Sequence, residues 1–107
     1  LIKQFPKLNA KRCSEMLDRL FANADRSRMR SGLDRSVRVE HKSGWIDDMQ
    51  ADAGIVRSPG GDFAIAVYLF RTAKPSIPLP DSLFAPYLGA FTRLVYSYYN
   101  PVVVAAP

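Results

Sequence analysis

The chain has 107 residues and carries 15 Lys and Arg against 10 Asp and Glu, a net charge of +5. Of its residues 48% are hydrophobic and 23% charged, which excludes a disordered segment and fits one small globular domain. A single cysteine and a single histidine exclude an internal disulfide and a Cys/His zinc site, and no 18-residue apolar run exists to span a membrane.

The charge is unevenly placed. Residues 1–42 carry a net +6 and residues 43–107 a net −1. The interleaved Arg28, Arg30, Arg35 and Arg38 would suit nucleic acid, but they alternate with apolar residues and no aromatic stacking platform accompanies them. A solvated basic face without nucleic acid is the expectation; a small anionic substrate would also suit it. The chain opens on Leu1 with no signal-peptide pattern, so its start is expected to be trimmed.

Residues 1–8 read as an extended lead-in, with Pro6 biasing Phe5 away from helix. Asn9 is an N-cap for a helix over about 10–22. Cys13, Met16, Leu17, Leu20 and Phe21 form one apolar stripe on it, so Cys13 is expected in the core. Asp25 reads as a second N-cap and Gly32 as the residue just past a short helical stretch, Arg26 to Ser31.

The period then changes from helix to strand. Val37, Val39 and His41 alternate with Arg38, Glu40 and Lys42, a half-buried strand that Ser43-Gly44 is expected to end or bend. Residues 53–58 read as a second strand, Pro59 to Asp62 as a turn, and residues 63–70 as a third strand, apolar on both faces. Asp47-Asp48 reads as a polar turn and not a metal pair. Residues 71–80 cross over, fixed by Pro75, Pro78 and Pro80. A last helix covers roughly 82–99, with Pro86 at its start or kinking its first turn. Residues 102–107 trail off.

The fold class expected is α+β, three antiparallel strands flanked by helices. The third strand should pair with the second, and Arg35–Lys42 should lie on the second strand's far side. The last helix should pack through Leu88, Phe91 and Val95. A strand apolar on both faces and two unclosed sheet edges suggest part of a larger unit.

One segment carries chemistry: Val39-Glu40-His41-Lys42-Ser43-Gly44-Trp45. A Lys at a strand end followed by Ser and Gly is the third signature element of the penicillin-recognising serine hydrolases. The surroundings agree: Leu33 precedes Lys42 by nine residues, Asp52-Ala53-Gly54-Ile55-Val56 follows as a strand, then a Pro/Gly turn, a third strand and a C-terminal helix. Over nearly all 107 residues the chain resembles the C-terminal portion of class A β-lactamases and their transpeptidase-like relatives.

That resemblance implies a single unit over 1–107, the C-terminal part of a serine hydrolase domain acting through an acyl-enzyme. It implies that Lys42 places positive charge near the nucleophile and a substrate carboxylate. Ser43 would donate a hydrogen bond to that carboxylate, and Gly44 would let substrate approach. The Trp45 N–H would serve as one of two oxyanion donors. Arg28 falls near a position from which some members supply carboxylate-binding charge, whereas Gln50 stands where many carry an Arg. Trp45, Ile46 and Met49 would make an apolar cleft mouth.

No serine here has a Lys three residues on, and no Ser-Asp-Asn is present. The nucleophile would therefore come from an upstream segment of the same protein or from a second chain, and this chain alone would be inactive. No metal or cofactor is implied. The substrate would be a small molecule or a peptidoglycan-like peptide, and the bacterial parent would be exported or periplasmic. The alternative is a non-catalytic relative that keeps the cleft for binding.

Overall fold

The computed structural model describes residues 9–46, 48–70 and 81–102, with backbone alone at 81–83. The expected lead-in, the proline crossing, Asp47 and the stretch beyond Val102 lie outside the described residues. Helix α1 spans Ala10–Phe21, a 3-10 turn Met29–Gly32, strands β1 Val39–Ile46, β2 Met49–Val56 and β3 Phe63–Phe70, and helix α2 Asp81–Tyr99. The sheet is antiparallel in the order β1-β2-β3, as expected.

The start of α1 is fixed as the sequence predicts. Asn9 is in extended conformation and its side chain accepts from the Arg12 N–H at 2.9 Å. Only part of the apolar stripe is buried: Cys13 and Leu17 are, whereas Met16 is 40% and Phe21 43% exposed. The Phe21 ring is a platform for Arg38, whose guanidinium carbon sits 4.0 Å from the ring centre.

Register places Val39, Val56 and Phe63 in one row across the sheet. Met29 from the 3-10 turn seats on this row, with Leu33, Val37, Ile65, Val95 and Tyr96 around it. Full burial of a Val, Met or Phe side chain favours folding by about 1.5–3 kcal/mol, so Met29, Val39, Val56 and Phe63 anchor the core. Phe63 also stacks on Tyr99, with ring centroids 4.7 Å apart, which ties the end of α2 to β3.

Two close backbone approaches demand glycine. A Cβ on Gly32 would run into the Gly89 carbonyl, so the 3-10 turn and α2 meet backbone to backbone. A Cβ on Gly54 would strike the Glu40 carbonyl and the His41 Cα and Cβ, 2.7 and 2.6 Å away.

Several expectations need correction. β1 begins at Val39 and runs through Ser43-Gly44 to Ile46, because both residues pair in register with Asp52 and Ala51. β2 begins at Met49, not at 53. Asp25 does not cap the 3-10 turn; it closes a local turn, accepting from the Ser27 N–H at 2.8 Å and the Ser27 hydroxyl at 2.6 Å. The turn's cap position is Arg28, with no side-chain cap bond, and Gly32 lies inside the turn. Pro86 lies within α2, beyond its first turn. Leu88 is buried and Val95 meets the core, but Phe91 is 49% exposed.

Candidate functional site

The site is the edge and far end of β1. An antiparallel strand turns its side chains to alternate faces and its backbone polar groups to alternate edges. Val39, His41, Ser43 and Trp45 share the face that holds the core row; Glu40, Lys42, Gly44 and Ile46 share the other. The Arg57 N–H donates to the Arg38 carbonyl at 3.0 Å, so even-numbered backbone groups of β1 turn toward β2. Odd-numbered groups turn to the open edge.

Side chains close that edge stepwise. Arg30 Nη2 donates to the Val39 carbonyl at 2.9 Å, Asn23 Nδ2 to the His41 carbonyl at 3.2 Å, and Lys42 Nζ to the Ser43 carbonyl at 2.6 Å. Next along the edge is the Trp45 N–H, which no described strand pairs with. A group lying along this edge meets Lys42 from one side of the strand and Ser43 from the other. Lys42 is exposed and Ser43 buried. A Cβ on Gly44 would find no described atom within 4 Å, so packing within the chain does not require a glycine there.

On the core-side face, polar residues converge. Arg28, 3% exposed, donates from Nε to Gln50 Oε1 and from Nη1 to Asp25 Oδ2, both at 2.7 Å. Its guanidinium carbon lies 4.1 Å from the Trp45 ring centre, and Trp45 itself is 54% exposed. Burial alone would raise the Asp25 pKa, but hydrogen bonds from Ser27, Arg28 and Ser43 outweigh it and hold the carboxyl well below the usual range.

Deeper in, His41 and Asp52 are both fully buried, with His41 Nδ1 2.8 Å from Asp52 Oδ1. With Asp52 as a carboxylate, which only accepts, the bond places the proton on His41 Nδ1. Asp52 Oδ2 accepts from the Met29 N–H at 3.1 Å, linking the sheet to the 3-10 turn. His41 Nε2 is buried with no partner among the described residues.

Of the residues singled out by sequence, the structure joins Arg28, Ser43 and Trp45 around Asp25 and turns Lys42 and Gly44 to the opposite face. The roles of Asp25 and of the His41–Asp52 pair are not visible in the motif. The available signal is parity: Gln50 and Asp52 fall on the buried face of β2, where a polar side chain needs a partner. Among the described residues no three His, Cys, Asp or Glu side chains gather to hold a metal ion, and no helix is long and apolar enough to cross a membrane.

Comparison with known proteins accords with the fold. A family model described as the beta-lactamase enzyme family matches residues 1–99, and the chain belongs to that family. Among solved structures, PBP-A is similar at 24% identity and a TM-score of 0.77, covering 94% of this chain and 36% of that one. A beta-lactamase from Burkholderia phymatum has a TM-score of 0.74 at 17% identity, covering 92% and 37%. The class A beta-lactamase from Mycobacterium abscessus has a TM-score of 0.72 at 20% identity, with the same coverages of 92% and 37%. The chain thus spans about a third of the length of these structures. Comparison with curated proteins finds no match.

Proposed function

We propose that this chain forms the substrate-binding wall and one oxyanion donor of a serine hydrolase that works through an acyl-enzyme, with its nucleophile supplied by an upstream segment or a second chain. The observation that carries this reading is the β1 edge. Side chains occupy its carbonyls as far as Ser43, and the next backbone group, the Trp45 N–H, faces outward. An N–H fixed in a strand needs no reorganisation as negative charge develops on a substrate oxygen, which is what an oxyanion donor requires. Lys42 brings positive charge to the same edge, and Gly44 leaves that face open to a substrate.

A variant of PBP-A, similar to this chain at a TM-score of 0.76 and 22% identity, is described as an acyl-enzyme complex with penicillin G. A β-lactam or a peptidoglycan-like peptide is the substrate class the family suggests, with export from a bacterial cell as the setting. Arg28 contributes by holding Trp45, because Asp25 and Gln50 already take its guanidinium.

The test is acylation by a fluorophosphonate probe in the complete protein. Lys42→Ala is expected to slow it by about 10–100-fold, the weight of one charge-assisted contact in the transition state. Lys42→Arg should not restore the rate, since the guanidinium fork is larger than an ammonium. Equal rates in all three proteins would reject the assignment. A non-catalytic binding relative is the second reading, supported by the described residues holding a cleft wall with no serine followed three residues on by a lysine.

A further inference from the structure

A second feature lies away from the β1 tip and is not used by the proposed reaction. The end of α1, the 3-10 turn and the turn leading into β1 enclose a cavity of about 310 Å³. Phe21, Asn23, Arg26, Arg30, Asp34 and Arg35 are among its lining residues, so three guanidinium groups face one carboxylate.

The carboxylate is already committed. Asp34 Oδ1 accepts from the Ser36 N–H at 2.9 Å and the Ser36 hydroxyl at 2.7 Å, and these bonds lower its pKa. Arg30 is spent on carbonyls: Nη1 donates to Asn23, and Nη2 to Phe21 and Val39. Its Nε is buried with no acceptor among the described residues. Burial, and then the like charge of Arg26, lower the Arg30 pKa, against smaller opposing effects of Asp52 and Asp25. Arg26 and Arg35 are exposed and form no hydrogen bond or ion pair among the described residues.

Carbonyls attract a guanidinium but cannot neutralise it. The cavity therefore holds uncompensated positive charge in a partly enclosed space, where a counter-charge gains more than it would in open water. We propose that this cavity binds a small multivalent oxyanion of the phosphate or diphosphate class, held by Arg26 and Arg35 at its mouth with Arg30 supplying charge behind them. Guanidinium forks fit such oxygens in pairs. The site does not depend on the acyl-transfer reading.

The experiment is calorimetric titration of the complete protein with pyrophosphate at fixed ionic strength, with Arg26→Gln/Arg35→Gln as the test variant. Dissociation at about 1 mM or tighter is expected in the unaltered protein. The double variant should weaken binding about tenfold or more, and Arg26→Lys/Arg35→Lys should keep part of it. Lys11→Gln/Arg12→Gln on α1 removes the same charge elsewhere and should change affinity little. Thermal unfolding without ligand should not fall in the Arg26/Arg35 variants, since neither side chain forms a hydrogen bond or ion pair among the described residues and loss of the Arg26 charge relieves repulsion on Arg30. Amide hydrogen exchange at residues 21–37 should slow with pyrophosphate, which locates the site in the unaltered protein. No binding, equal loss in the α1 control, or an oligonucleotide that binds equally well to the Arg26/Arg35 variant would each overturn the proposal.

Discussion

The Arg28 guanidinium carbon stands 4.1 Å from the centre of the Trp45 ring, so a buried cation supports a side chain that is half exposed to solvent. The residue at the tip of β1 is thereby fixed from below by an arginine whose other contacts reach Asp25 and Gln50. Trp45→Ala should uncover that arginine and cost about 1 kcal/mol, with Trp45→Phe keeping part of it. Urea unfolding followed by far-UV circular dichroism measures both, and an unchanged midpoint for Trp45→Ala would show that the stacked pair contributes nothing.

Two glycines on neighbouring strands separate fold from function. Gly54→Ala places a methyl group against the Glu40 carbonyl and His41, so backbone must move, and a loss of roughly 2–4 kcal/mol is expected. Gly44→Ala meets no described atom, so stability should stay within about 0.5 kcal/mol. If the β1 edge receives substrate, Gly44→Ala should nevertheless slow acylation of the complete protein. A thermal melt and an acylation rate on the same samples decide both.

Glu40 is 2% exposed and accepts two bonds from Arg57, at 2.8 and 3.0 Å, with Arg38 a further 3.3 Å away. Hydrogen bonds donated to Glu40, and lesser support from Asp62, raise the Arg57 pKa against the opposing effect of burial. Arg57→Gln strips a buried carboxylate of its bidentate partner, and about 1–3 kcal/mol of stability should go with it. Asp62→Asn, at the exposed end of the same chain of charges, should cost under about 1 kcal/mol. Chemical denaturation of the two variants should show that order.

Asp25 has a folded-state pKa below its unfolded value of about 3.9. The stability this contributes is therefore fully present above that value and is lost as pH falls through it toward the lower folded pKa. Asp25→Asn, which cannot ionise, should be less stable than the unaltered protein at neutral pH. The gap should narrow below about pH 4. Unfolding midpoints across a pH series would show the convergence, and a constant gap would assign the effect to shape alone.

Where an apolar run is bounded by turn residues, or a cap residue precedes a helical stripe, the fold is legible in the residues. β3 falls on Phe63–Phe70 as expected, and α1 starts at Asn9. The errors fall where polar residues are buried. β2 looks too hydrophilic before Ala53 because Gln50 and Asp52 face inward, and their partners Arg28 and His41 lie 22 and 11 residues away. Ser43-Gly44 resembles a strand end because a glycine with no packing role is indistinguishable from a turn glycine in sequence. Lys42, Ser43 and Gly44 stand out in the sequence as a three-residue motif, with Trp45 next to it. Asp25 was not, since its contacts reach across the 3-10 turn to Ser43.

The side chains that occupy the carbonyls of β1 have a consequence for how copies of this sheet can meet. Arg30, Asn23 and Lys42 make that margin a poor template for another strand, because an incoming strand would have to displace all three before it could pair with the Val39, His41 and Ser43 carbonyls. The tip of β1 is thereby kept for a short ligand and denied to a long one.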